Sequence, residues 1–236
     1  MADAAAMIDV LAGEEGYRAA VDTPPPPLRI ALVWRTPLGR PPMAAEHRRA
    51  VADTADRLRD LGHRVTEADL PLGARPWPQF MTRYLRGVAD DVARLPHPEW
   101  LEPRTRRLAG AGARVPDRTL AWARTAEAGL HALMVGFFAE HDLILQPGWV
   151  RRPSRIGRYH GSGIATTLAA VGTHIPYFPT WNVMGYPVAA VPVGFDQVGM
   201  PIGVQLIGPT GSERLLLSLS GQYERAHPWT DRRPAL

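Results

Sequence analysis

At 236 residues, with 45% hydrophobic and 21% charged side chains, the chain is long enough to bury a sizeable core without staples. It has no cysteine, which excludes a disulfide framework and any thiolate nucleophile or metal ligand. Its 27 cationic Lys and Arg positions are all arginine, and the net charge of +4 sits in scattered pairs such as Arg48-Arg49, Arg106-Arg107, Arg151-Arg152 and Arg232-Arg233. No basic block is interleaved with aromatics, so no nucleic-acid partner is expected. No apolar run reaches the length of a membrane span, and the first residues show no charged region followed by an apolar one. No membrane partner is therefore expected, and the expected location is cytoplasmic.

In chain order, residues 2–12 read as a helix with Asp3 near its start and Gly13 as its stop. Pro24-Pro25-Pro26-Pro27 is a stiff spacer, and the apolar run Leu28 to Trp34 suits a buried strand. Val51, Ala55, Leu58 and Leu61 follow helical spacing, with Gly62 at the stop position and His63 to Leu70 as a second strand. Strand, helix and strand in this order imply a parallel βαβ unit.

From Arg75 to Gly136 the pattern is mostly helical, broken by Pro96, Pro98, Pro103 and Pro116, with Leu120 to Phe138 its strongest run. His141 to Pro147 reads as a helix end entering a buried strand. Residues 148–180, rich in Gly, Pro, Arg and aromatics, read as a long irregular loop of the kind that lines sites. Val188 to Phe195 and Ile202 to Gly208 form an expected hairpin around residues 196–201. Thr210-Gly-Ser-Glu213 matches a capping box before a helix with the stripe Leu215, Leu216, Leu219 and Tyr223.

The segment Thr180-Trp-Asn-Val-Met-Gly-Tyr-Pro-Val-Ala-Ala-Val-Pro-Val-Gly194, followed by Gly199-Met-Pro-Ile-Gly-Val-Gln-Leu-Ile-Gly-Pro209, resembles the C-terminal signature of the amidase family. Asn182, Gly185 and Pro187 match its Asn-x-x-Gly-x-Pro run, and Pro201 to Pro209 match its Pro-x-Gly-x-Gln-x-x-Gly run. Ile30 to Val33, Leu61-Gly62-His63-x-Val65, His141 to Leu145, and Ser212-Glu213 with the leucines after it resemble further family segments, in the family's order. Residues 2–13 resemble the helix that follows the family's catalytic core. The resemblance implies an α/β fold with a mixed sheet covered by helices, the C-terminal part of the amidase signature fold, and one incomplete domain over 1–236.

Family chemistry needs a nucleophilic serine, a second serine that relays the proton, and a lysine base beside a glycine-rich loop. A hydroxyl is a weak nucleophile at neutral pH without an adjacent base and aimed N–H donors. This chain contains no lysine, no Ser-Ser pair and no Gly-Ser-Ser-Gly loop. No residue here is carried over as catalytic, and no cofactor or metal ligand is expected. Met1 stands where the family often has a small apolar residue, consistent with a start inside a longer reading frame.

Other candidates carry bland alternatives. Ser162, in His160-Gly161-Ser162-Gly163, lacks the leading glycine of a nucleophile elbow and reads as a loop turn. Ser154, Ser212, Ser218 and Ser220 complete the serines, the last two on the closing helix. His63 has an expected capping or strand-start role, and Glu140-His141-Asp142 reads as a polar junction. Arg151, Arg152, Arg155 and Arg158, with Trp149, Tyr159 and His160, form either a solvated loop or, as the resemblance implies, a wall near the acyl pocket. Trp181 and Asn182 are expected to be structural, with Asn182 bonding backbone in a turn.

The sequence therefore points to the C-terminal portion of a hydrolase of carboxylic amides, inactive alone. Open alternatives are a non-catalytic subunit, half of a split amidase or amidotransferase A-type subunit, or a decayed gene fragment. Expected partners are an N-terminal half or a second copy covering an exposed sheet, and a small amide substrate once complemented.

Overall fold

A computed structural model describes residues 1–229, so the Arg232-Arg233 pair lies outside the described residues. Helix α1 (Ala2–Ala12) ends at Gly13, whose φ of 64° is left-handed and suits glycine at a helix stop. It packs Ala5, Met1 and Ile8 against Val21 and Leu217, and leaves Met7, Val10 and Leu11 at 65–81% exposure on its other side. Helix α2 (Tyr17–Asp22) lies where the sequence reads only as a polar stretch. Its start is capped from outside, because the Asp9 carboxylate accepts the Tyr17 N–H at 2.9 Å and the Arg18 N–H at 3.2 Å.

Strand β1 (Arg29–Leu32), helix α3 (Ala45–Asp60) and strand β2 (Arg64–Glu67) form the expected parallel βαβ unit. Gly62 turns the chain between helix and strand at φ 93°. His63 is buried there: its Nδ1 accepts the Leu28 N–H at 3.1 Å, which leaves Nε2 to donate to Gln222 Oε1 at 2.9 Å. Helices α4 (Pro76–Ala93) and α5 (Pro103–Gly112) follow, with a short 3-10 turn at Pro98–Trp100.

The two helices cross where Gly112 meets Leu85. A Cβ on Gly112 would lie 1.9 Å from the Leu85 carbonyl oxygen. Gly112→Ala is therefore expected to lower stability by about 1–3 kcal/mol, read as a lower urea midpoint at unchanged slope.

The run expected to be one helix over Leu120 to Phe138 is two, α6 (Asp117–Thr125) and α7 (Glu127–Glu140). At the break, the Thr125 hydroxyl donates to the carbonyls of Ala121 and Trp122, a local alternative that bends helices. Strand β3 (Leu143–Pro147) then runs parallel to β1. Asp142 staples its entry, bonding the Arg29 N–H and guanidinium at 2.7 Å each. That guanidinium holds the Asp142 carboxyl below the usual carboxylate range.

The expected long loop over 148–180 is only partly irregular. It contains helix α8 (Ile164–Gly172) and the start of α9 (Phe178–Met184). Pro179 sits in the first turn of α9, where a missing N–H costs nothing. Strands β4 (Val188–Phe195) and β5 (Pro201–Ile207) form the expected hairpin, and helix α10 (Glu213–Ala226) closes the described chain. The capping box does not form: Ser212 is the cap residue, makes no side-chain cap bond, and its hydroxyl is buried without a partner among the described residues.

The sheet order is β2-β1-β3-β5-β4, with β5 antiparallel to both neighbours, so the fold is α/β with a mixed sheet covered by helices. Side-chain alternation splits the core between the two faces. Ile30, Leu32, Leu143, Leu145, Val204 and Leu206 face α3 and α10, while Ala31, Val33, Ile144 and Ile207 face α7 and α9. Strand β4 forms one rim of the sheet. It carries Pro192 and a register shift between Pro192 and Gly194.

Candidate functional site

Ligands of open α/β sheets collect beyond the carboxyl ends of the parallel strands. Here β1 and β3 both run out toward the segment 148–180. A buried polar chain fixes that segment to the strands. The Gln146 amide donates to Gln205 Oε1 at 2.7 Å and to the Tyr177 carbonyl at 3.2 Å. The Tyr177 hydroxyl in turn donates to the Trp34 carbonyl at 2.7 Å. Gly148 passes so close to β5 that a Cβ there would lie 2.9 Å from the Gly203 carbonyl oxygen.

Burial pushes the Tyr177 hydroxyl up to about 12 from its ordinary 10. Between those values the folded state holds a proton that the unfolded state releases, so stability is complete below pH 10 and falls as pH rises through 12. The urea midpoint is expected to drop between pH 9 and pH 11, and to drop less in Tyr177→Phe than in the parent chain.

Two cavities open beside this anchored segment, separated by α8. The first, about 440 Å³, lies between α4 and α8. Trp77, Phe80 and Tyr84 fall on one face of α4, with ring centroids 5.9 Å apart for the first pair and 5.6 Å for the second. Leu168, Ile175 and Thr180 form the facing wall. No residue of α8 is buried, although the helix is largely apolar.

The second cavity, about 380 Å³, is lined by Trp149, Ser154, Arg155, Arg158, Tyr159 and His174 among others, and Val171 borders both cavities. The arginine cluster of the sequence is thereby divided. Arg152 is held by Asp196 and Glu46, and Arg151 donates to the Pro42 carbonyl, away from the cavity. Arg155 and Arg158 line the cavity and make no ion pair among the described residues. The carboxylate of Glu102 on the same wall is already paired with Arg104 at 2.8 Å. An anionic group therefore meets a favourable field there.

Ser162 sits in a turn closed by its own N–H to the Tyr159 carbonyl at 3.1 Å, and no strand leads into it. Asn182 is exposed on α9 rather than in a turn, and its side chain makes no hydrogen bond among the described residues. The backbone turn at that point is made by Gly185 at φ 64°. Trp181 is buried against Tyr186, and its indole N–H has no partner among the described residues.

One pairing escaped the sequence. Ser154 Oγ lies 3.4 Å from His174 Nε2 and 2.8 Å from the Tyr159 hydroxyl, while His174 Nδ1 bonds the Ala170 carbonyl at 2.8 Å. A separation of 20 residues across an irregular segment leaves no motif to read. No cluster of His, Cys, Asp or Glu able to hold a metal occurs among the described residues.

The family model described as Amidase matches residues 4–217. The chain is 39% identical over 239 residues to the "Putative amidase AmiB2" of Mycobacterium tuberculosis, covering 99% of this chain and 52% of that protein. It is 31% identical over 244 residues to "Putative amidase AmiA2" of the same species, covering 98% and 50%. Among solved structures, that of 6-aminohexanoate cyclic dimer hydrolase superposes with a TM-score of 0.80 at 26% identity, covering 93% of this chain and 49% of that one. An amidase crystal structure superposes with a TM-score of 0.74 at 21% identity, a likeness of fold. The chain spans about half the length of the relatives it matches.

Proposed function

This chain belongs to the amidase family, and on that premise we propose that it is the C-terminal portion of a hydrolase of carboxylic amide C–N bonds, inactive until the remaining portion is supplied. One observation carries the reading: the family match runs through almost the whole chain, yet the chain contains no lysine and no Ser-Ser pair. The nucleophile, its proton relay and its base would then come from the other portion. What this chain contributes is a mixed sheet, the anchored segment 148–180 and the two cavities beside it. In such an enzyme these residues bind and orient the amide, while the other portion attacks it.

One surface supports a covering partner. The apolar stripe Met7, Val10 and Leu11 of α1 is exposed. We favour the family's N-terminal portion as the occupant over a second copy, because the relatives are about twice this length. A non-catalytic subunit, half of a split amidotransferase A-type subunit and a decayed fragment remain the competing readings.

Co-expression with the N-terminal portion of the mycobacterial relative separates these readings. Co-purification with recovered hydrolysis of simple amides supports the proposal. A stable complex without turnover favours a non-catalytic subunit, and an aggregated chain favours a decayed fragment.

A further inference from the structure

We propose that the two cavities flanking α8 are one bipartite ligand site, made for a molecule that joins a bulky apolar group to a carboxylate. The inference rests on the amidase reading for its class of compound, an amide, and deepens it to a substrate type. The apolar half is the slot between α4 and α8. Trp77, Phe80 and Tyr84 line it with three rings spaced by about one helical turn, Phe80 and Tyr84 nearly parallel at 13°. Such a wall favours a flat or branched apolar group over a short aliphatic one.

The unburied state of α8 is the second observation. Its sequence, Ile-Ala-Thr-Thr-Leu-Ala-Ala-Val-Gly, is mainly apolar, yet none of its residues is buried. A helix this apolar gains little from facing an empty slot. Filling the slot would remove Leu168 and Val171 from water on the same side as the α4 rings.

The polar half lies across Val171 from the slot. Arg155 and Arg158 line it without ion pairs among the described residues, and the one acidic lining residue, Glu102, is occupied by Arg104. A guanidinium fork binds a carboxylate in two places at once, so two such groups beside an aromatic slot select for an anionic end. The same field disfavours a cationic end. Hence small neutral amides gain little from either half and are the weaker ligands, whereas an acylated amino acid with an aromatic acyl group fills both.

Isothermal titration calorimetry on the full 236-residue chain tests this without any turnover. The probes are 3-phenylpropionylglycine, neutral 3-phenylpropionamide, and acetylglycine as an anion without the apolar group. The first is expected to bind tightest. Leu168→Trp, which fills the slot from a half-buried position, is expected to weaken it at least about tenfold, and Tyr84→Ala to weaken it by a smaller factor.

Arg155→Gln with Arg158→Gln is expected to weaken the anionic probe about fivefold and to leave 3-phenylpropionamide unchanged. The proposal is overturned if no probe binds, if acetylglycine matches 3-phenylpropionylglycine, or if neither slot variant alters binding. It is also overturned if the arginine pair affects neutral and anionic probes alike. Failure of the amidase reading would appear elsewhere, as absent hydrolysis in the complemented protein, and would leave these titrations untouched.

Discussion

Purified alone, the chain is expected to release neither ammonia nor amine from aliphatic or aryl amides above the buffer rate. Each serine has a reason to be inert. Ser218 donates to the Thr23 carbonyl, and among the described residues Ser212 and Ser220 have buried hydroxyls without partners and the Ser162 hydroxyl is hydrogen-bonded to no base. Ser154 is the exception with a histidine near it, at 3.4 Å from His174 Nε2.

That contact is long for a proton transfer, and the Tyr159 hydroxyl competes for the same oxygen at 2.8 Å. Enzymes of this size of task accelerate hydrolysis by about a millionfold or more, which a loose pair without aimed oxyanion donors does not supply. Supplying the N-terminal portion is expected to raise the rate by about that factor. The measurement is ammonia release with and without the second portion. Turnover by the single chain that disappears in Ser154→Ala would assign chemistry to this pair and remove the case for an incomplete hydrolase.

Trp181→Ala is the substitution with the largest expected structural effect. Trp181 is 2% exposed and packs with Val183, Met184, Tyr186 and the sheet residues Ala31 and Ile144. Emptying such a site removes the buried area and leaves a cavity, at a cost of about 3–5 kcal/mol. That is a large share of the total stability of a domain, about 5–15 kcal/mol. Trp181→Phe behaves differently. It keeps most of the ring contact and deletes an indole N–H that is buried without a partner, whose desolvation costs about 1–3 kcal/mol. The two substitutions are therefore expected to separate widely in urea midpoint, with the phenylalanine variant within about 1 kcal/mol of the parent. Equal losses in both would mean that the indole nitrogen, not the ring, holds this site.

Much of the fold was legible because its determinants are local. The βαβ unit is written in the spacing of Val51, Ala55 and Leu58 and in Gly62, and the hairpin in the alternation of β4 and β5. What escaped reading depends on distant partners. Helix α2 is capped by Asp9 from another helix, and α8 gains no burial that periodicity reports.

The site shows the same division. The segment 148–180 and its arginines were visible as a candidate wall. Which arginines face a cavity was not, since Arg152 is taken by Asp196 and Glu46 from remote parts of the chain. The aromatic wall of α4 went unnoticed, because Trp77, Phe80 and Tyr84 at helical spacing look like ordinary core until the facing helix is known to stand off from them.

The proline and the register shift in β4 bear on how this molecule avoids sticking to itself. Proline offers no donor to an incoming chain, and the strand changes course between Pro192 and Gly194. Regular pairing of β4 runs only from Val188 to Pro192, a short stretch on which to template an extended cross-strand assembly. The same two positions work against fibre growth through this side, so Pro192→Val is expected to turn a quiet boundary into a sticky one, read as faster aggregation of the variant.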